Sequence, residues 1–327
     1  METRQSVRAA AGELFAALES CNQRIAAGAS SAEIDTACAA ALDKCLARLK
    51  PLGLWGPDNR LPSSDLWNLC GHHLARGWLQ NQARTKPRGY AGDYEMLARI
   101  YAGQLTDDPL GRSFDRYFQN EAAPRAVRNR MRMMADWIVG AVEAATASFQ
   151  VAVVGSAFGL EVRDALLRLP ETARRPVRIV LLDLDPAAVE FARSQLAPLV
   201  ANDQLTPASV NLFRLSERPR LGEALQDSQL ILCPGLFDYL DDAAATAMLR
   251  SLYARLAPGG RLVVFQFAPQ NPTRAYMEWF GNWYLLYRDS QKFQQLVASA
   301  GLGASMIQLG AEPLGIDLFA SIVREAR

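Results

Sequence analysis

The chain has 327 residues, 50% apolar and 21% charged, with 35 Lys and Arg against 34 Asp and Glu. That length accommodates about two domains. The net charge of +1 argues against a nucleic-acid partner, whose phosphates demand a basic face. No apolar run reaches the ~18 residues that a transmembrane helix needs.

The opening Met1-Glu2-Thr3-Arg4-Gln5 carries an acid early and no apolar core, unlike a signal peptide. Cysteines fall at 21, 38, 45, 70 and 233, an odd number with no Cys-x-x-Cys pair. They read as reduced, buried thiols of a cytoplasmic protein. His72 and His73 are the only histidines. As helix neighbours they point about 100° apart, so no metal site is expected on them.

Residues 1–146 show helical spacing and form the expected first domain, an all-helical cap. Val7, Leu14, Phe15, Leu18 and Ile25 recur at helical intervals, and Gly28-Ala29-Ser30-Ser31 stops that helix. A second helix starts at Ser31 and ends at Lys50-Pro51-Leu52-Gly53. A loop is expected to about Ser64, a helix from Asp65 to Leu79, and a long helix from Pro124 to Ala147. The buried stripe of this last helix is Val127, Met131, Met134, Ile138 and Val142, and the arginines at 125, 128, 130 and 132 read as its solvated face.

Between these helices lies Thr85-Lys86-Pro87-Arg88-Gly89-Tyr90-Ala91-Gly92-Asp93-Tyr94-Glu95-Met96. Its glycines and proline forbid a regular helix and predict a fixed loop. Loops held on a helical scaffold commonly carry function. A rigid connection between helices is the alternative.

Residues 147–327 read as a second, α/β domain. Val151-Ala152-Val153-Val154 is an apolar strand that breaks at Gly155, and Ser156, Ala157, Phe158 and Gly159 precede a helical segment. Arg178 to Leu182 is a second apolar run, ending in Asp183, and Pro186 opens the next helix. Strand, glycine turn, helix and strand with a terminal acid form a unit that holds an adenosine-containing cofactor. Asp183 can accept from both ribose hydroxyls. The turn lacks the third glycine that a pyrophosphate needs, and Phe158 fills it. These features favour S-adenosyl-L-methionine, with S-adenosyl-L-homocysteine as product, over NAD. An NAD-dependent oxidoreductase and a non-catalytic cofactor-binding module remain the rivals.

The third strand precedes Arg214 to Ser216, where an adenine contact is expected. Asp227 to Cys233 is the fourth strand, placing Pro234, Gly235, Asp238 and Tyr239 just past its carboxyl end. A helix over Asp242–Leu256 leads to a fifth strand, Arg261–Phe267. A helix over Gln291–Ala300 and strands at 305–309 and 317–323 close the domain. The aromatic segment from Asn271 to Asp289 either docks the helical domain or lines an acceptor pocket, and the fork of Arg288 suits a carboxylate.

The wording Val-x-Val-Val-Gly-Ser-Ala-x-Gly with Leu-Leu-Asp-Leu-Asp-Pro resembles the first two motifs of class I methyltransferases. The run from Lys86 to Met96, with Gly235–Leu240 and Asn282–Arg288, resembles one bacterial group among them. These are the biosynthesis proteins of the extracellular factor 3-hydroxypalmitic acid methyl ester. The likeness covers roughly residues 80–325, and Cys233-Pro234 departs from it, where smaller residues are expected.

The resemblance implies a Rossmann-like sheet of seven strands, the last pair antiparallel, and methyl transfer to a small-molecule acceptor. A carboxylate acceptor needs no base, whereas an alcohol or amine does, so N-methylation is the alternative to O-methylation of an acid. The site is then expected to comprise Tyr90, Asp93 and Tyr239 as catalytic residues. Arg88, Tyr94, Asp238, Tyr284 and Arg288 would bind acceptor. Gly155, Ser156, Ala157, Gly159, Asp183, Leu184, Ser216, Pro234 and Gly235 would bind cofactor. No metal, nucleic acid or membrane span is implied, and a homodimer is compatible with the sequence.

Overall fold

Two sets of residues pack as separate units in this structure, a computed structural model that describes residues 2–174 and 176–326. Met1, in the segment weighed as a signal peptide, Arg175 and Arg327 lie outside the described residues. One unit is Met1–Arg125 with Asn271–Leu285, and the other is Ala126–Gln270 with Leu286–Arg327.

The first unit is helical: α1 (Glu2–Ala26), α2 (Ser31–Leu49), α3 (Arg60–Leu74), α4 (Trp78–Thr85), α5 (Tyr94–Ala102) and α6 (Pro109–Asn120). Ser30 and Glu33 form a capping box that starts α2. Helix α3 begins earlier than its apolar pattern predicts, and it stops before Gly77. A Cβ on Gly77 would lie 2.9 Å from Phe114 Cβ, so close approach of α6 requires glycine there. Asp115 explains the break from the other side, its buried carboxylate accepting from Leu79 N and Thr106 N at 2.9 Å each. The largest buried side chains of the unit include Trp279, Phe114, Phe280, Leu14, Leu18 and Leu42.

The second unit begins in α7 (Ala122–Ala144), then runs β1 (Phe149–Val154), α8 (Leu160–Arg168), α9 (Glu171–Arg174), β2 (Val177–Asp183), α10 (Pro186–Leu196), β3 (Leu205–Ser209), β4 (Ser228–Cys233), α11 (Asp242–Tyr253) and β5 (Leu256–Phe267). After α12 (Arg274–Trp279), which belongs to the helical unit, it closes with α13 (Ser290–Ser299), β6 (Ala304–Ala311) and β7 (Asp317–Arg324).

The strand order is β3-β2-β1-β4-β5-β7-β6, with β1 to β5 parallel and β7 antiparallel to both neighbours. This is the seven-stranded Rossmann-like sheet that the sequence predicts. Alternation along β1 separates two cores: Val151 and Val153 pack with α7 and α8, and Ala152 and Val154 with α11 and α13.

The units divide at Arg125/Ala126 and not at 146, because α7 turns Met134, Ala135, Ile138 and Val142 into the sheet core. The five cysteines are buried free thiols. No helix among the described residues is long and apolar enough to cross a membrane.

Phe265 is fully buried on β5 and stacks on Trp137 with ring centroids 5.9 Å apart. Phe265→Ala is expected to destabilise the sheet unit by about 3–5 kcal/mol in urea unfolding; a loss below about 1 kcal/mol would contradict this packing.

Candidate functional site

In the strand order above the chain reverses direction of growth between β1 and β4, and ligands of open parallel sheets bind at the carboxyl ends flanking such a point. There β1 hands over to a turn with three residues in left-handed conformation, Gly155 (φ 75), Ala157 (φ 45) and Gly159 (φ 64). Gly155 N and Ser156 N both donate to Leu182 O, at 2.8 and 3.1 Å. Ala157 N donates to Asp183 Oδ2 at 2.7 Å, and Asp185 N to Asp183 Oδ1 at 3.0 Å.

Asp183 stands where the sequence puts it, at the end of β2, and also holds the turn. Burial raises its pKa although these amides oppose the rise. A carboxylate has about four acceptor sites, and the amides of Ala157, Asp185 and Leu184 already bear on this one. Gly159 starts α8 without a side-chain cap, so the helix's first amides lack an intrahelical partner. Leu184 is exposed, while Pro234, Gly235 and Ser216 are half-buried. Phe158 is buried beside Phe191, their ring centroids 5.9 Å apart.

A buried polar layer belongs to the same unit. Ser156 Oγ and Glu161 Oε1 are sealed from solvent and have no hydrogen-bond partner among the described residues. Burial pushes the Glu161 carboxyl up to about 7, with the Arg130 charge opposing. Arg130 is not part of a solvated face: it is 5% exposed, and its Nη1 donates to Asp317 Oδ2 at 2.8 Å. Asp238 Oδ1 accepts from Phe267 N at 2.8 Å and from Gln266 Nε2 at 2.9 Å. Burial raises the pKa of both Asp238 and Asp317.

Arg288 also departs from expectation. Its guanidinium donates to Asp242 Oδ1 (2.8 Å), Gln266 Oε1 (2.5 Å), Phe237 O (3.2 Å) and Leu240 O (2.6 Å). A fork so committed ties the segment after α12 to the sheet and leaves no face for an acceptor carboxylate. Tyr239 is 36% exposed at the same edge.

The Lys86–Gly92 loop and its flanks lie in the helical unit. Asp93 caps α5, Oδ1 accepting from Met96 N at 2.9 Å and Oδ2 from Gln82 Nε2 at 2.7 Å. Arg88 stacks over Tyr94 at 4.5 Å and donates to the Tyr94 hydroxyl (3.0 Å) and to Glu95 (2.6 Å). Gly92 (φ 74) lies against Trp283, where a Cβ would come within 2.7 Å of the ring. Tyr90 is half-buried. Tyr284 forms a 3.0 Å hydrogen bond with Asn59. Tyr90, Asp93, Arg88, Tyr94 and Tyr284 are thus grouped in the helical unit, and Tyr239, Asp238 and Arg288 in the sheet unit.

Glu19, His72 and His73 come close enough to consider a metal. Arg76 Nη1 donates to Asn22 Oδ1 at 2.5 Å, which turns Asn22 Nδ2 toward His73 Nδ1 at 3.2 Å. His73 Nδ1 then accepts, and the ring proton sits on Nε2, 2.7 Å from Glu19. That tautomer offers a metal no lone pair at Nε2.

No protein-family model and no curated protein matches the chain. Solved structures do. A possible exported protein from Bordetella parapertussis is 18% identical, with 97% of each chain covered and a TM-score of 0.62. The CurJ carbon methyltransferase is 12% identical over 98% of this chain and 92% of its own, with a TM-score of 0.51. The CMeT domain of the citrinin polyketide synthase is 16% identical over 81% and 69%, with a TM-score of 0.50. At such identities the likeness is one of fold, the Rossmann-like fold of class I methyltransferases.

Glu161 generates a test. Its folded pKa lies near 7 against an ordinary 4.5, so the folded chain keeps a proton that the unfolded chain has lost. The group therefore costs stability as pH rises from about 4.5 to about 7, in total about 3 kcal/mol at ~1.4 kcal/mol per unit. Glu161→Gln is expected to equal wild type in urea unfolding at pH 4 and to exceed it by up to about 3 kcal/mol at pH 8. An unchanged difference across that window would contradict the buried, unpartnered placement.

Proposed function

We propose that the chain is an S-adenosylmethionine-dependent methyltransferase acting on a small-molecule acid, methylated on a carboxylate oxygen. This extends the resemblance to the 3-hydroxypalmitic acid methyl ester group without fixing which acid. The observation that carries the proposal is the turn after β1. It combines left-handed residues, a clamping acid on β2 and two buried polar atoms that lack partners.

The donor set fits the cofactor. Asp183 would take the ribose hydroxyls. Glu161 Oε1 would accept from the α-ammonium and Ser156 Oγ would donate to the α-carboxylate, which relieves two orphaned buried groups. Leu184, Pro234, Gly235 and Ser216 would flank the nucleoside. Phe158 occupies the turn where a pyrophosphate would need space, which favours this cofactor over NAD.

When bound, the cofactor supplies a sulfonium methyl that is already electrophilic, so the protein's task is to position the acceptor and exclude water. A carboxylate acceptor is ionised at neutral pH and needs no base. An alcohol or amine acceptor would need Asp93, Asp238 or a tyrosine as its base. Asp93 is spent on its helix cap, and Asp238 on Phe267 N and Gln266. A tyrosine, with an ordinary pKa of about 10, is a poor base at neutral pH, so these commitments favour O-methylation of an acid over N-methylation. We assign acceptor recognition to the helical unit, where Arg88, Tyr90, Tyr94 and Tyr284 reside, and give Tyr239 the rim of the cofactor site.

Calorimetry on the whole chain tests the proposal. S-adenosylhomocysteine is expected to bind and NADH not. Glu161→Gln is expected to weaken S-adenosylhomocysteine by about tenfold. 5′-Methylthioadenosine, which lacks the amino-acid end, should change less than about twofold. Binding of NADH without S-adenosylhomocysteine would replace the proposal with the oxidoreductase reading. Cofactor binding without any acid gaining a methyl group by mass spectrometry would leave a binding module.

A further inference from the structure

With Arg288 committed to the sheet unit, an acidic acceptor needs its cation elsewhere. We propose that the helical unit carries a receptor for the oxyanion of an acidic small molecule, built from Arg60, Arg84 and Lys86 beside the Tyr284 ring. The inference rests on the small-acid acceptor proposed above and deepens it.

Three elements of the unit bring these side chains together. Arg60 opens α3 and lies over the Tyr284 ring, 5.5 Å from its centroid. Arg84, near the end of α4, stacks on Trp67 at 4.9 Å and donates to Ser63 Oγ at 2.5 Å and Ser63 O at 3.3 Å. Lys86 caps the end of α4, and its Nζ donates to Asn282 O at 2.7 Å. The Tyr284 hydroxyl joins the group through Ser63 and through Asn59, which lies 3.0 Å from it.

The charge balance of this cluster is one-sided. None of the three cations has an ion pair among the described residues, and the charges acting on Lys86 are those of Arg84 and Arg60. Arg84 and Lys86 are half-buried, and burial lowers the pKa of each. Glu278, the acid that acts on Tyr284, is fully buried and already engaged. Its carboxylate accepts from Gly56 N and from Arg274 Nε, each at 2.7 Å. Taking charge out of water costs free energy unless it is paired, and an anion would supply that pairing for Arg84 and Lys86, with Arg60 at the exposed side.

Donor capacity remains for it. A guanidinium has five N–H groups and an ammonium three. Among the described residues, hydrogen bonds use two of these on Arg84, one on Lys86 and none on Arg60. A guanidinium fork matches the planar two-oxygen face of a carboxylate, and a phosphate presents the same edge.

Backbone conformation marks the same place. Lys86 (φ 48) and Asn282 (φ 49) are both non-glycine residues in the left-handed region, and they are joined by the Lys86 Nζ bond. Residues held in such conformations cluster at ligand sites. The strained pair anchors the start of the Lys86–Gly92 loop, so the loop motif acquires a role that its committed Asp93 does not provide.

The test uses the whole chain and two probes, carboxyl-13C decanoate and inorganic phosphate, followed by 13C and 31P line widths. Wild type is expected to broaden at least one probe saturably, and the probe that saturates names carboxylate or phosphate as the source. In Arg84→Gln/Lys86→Gln the apparent affinity should fall at least about tenfold, with the melting curve and S-adenosylhomocysteine affinity retained. If that variant does not fold, Arg60→Gln and Lys86→Gln singly should each weaken the probe about threefold or more. Absence of saturation with both probes, or equal affinity in the variants, overturns the receptor. Failure of wild type to bind S-adenosylhomocysteine while decanoate still saturates would instead overturn the methyltransferase reading and leave this site standing.

Discussion

The contact between Ala157 N and Asp183, at 2.7 Å, is the constraint on which the rest of the sheet unit's site depends. An alanine at φ 45 is strained, and only a strong partner keeps it there. A buried carboxylate accepting from backbone amides is such a partner. By holding Ala157, Asp183 sets the path from β1 into α8 and hence the direction in which the first amides of that helix point. The same residue, read from sequence as a ribose acceptor, therefore has a second task inside the protein. Loss of its charge would loosen the turn before any ligand arrived.

Beneath the turn, the unit buries charge in a pattern that packing alone does not call for. Arg130 faces Asp317 directly and acts electrostatically on Glu161 and Asp238, so one guanidinium serves three carboxylates that are sealed from water. Hydrophobic residues of similar volume would serve stability as well or better. Acids kept near neutrality are useful where a cationic ligand group is to be received, because they can ionise when that group binds.

The legible parts of the sequence were those where one physical requirement dominates. Strands buried on both faces must be continuously apolar, so β1, β2, β4 and β5 announced themselves. The glycine turn and terminal acid followed from the backbone geometry at their ends. Helix α6 carries a start signal independent of apolar spacing, Asp108 before Pro109. Arg130 was legible too, being three residues after Val127 and four before Met134 on the buried stripe, though its run of arginines suggested a wet face. Arg288 was not legible. Its partners Asp242, Gln266, Phe237 and Leu240 lie 22 to 51 residues away in the chain, and no local pattern reports such commitment. The aromatic segment from Asn271 to Asp289 left docking to the helical domain and lining a pocket both open in the sequence; that Asn271–Leu285 belongs to the helical unit depends on long-range packing of Trp279 and Phe280.

A crystal structure grown with S-adenosylhomocysteine tests the central claim most directly. The account predicts both ribose hydroxyls within hydrogen-bond reach of Asp183 and the amino-acid end of the ligand against Glu161 and Ser156. A ligand bound elsewhere, or a turn after β1 rebuilt so that Asp183 no longer holds Ala157 and faces no hydroxyl, would contradict it.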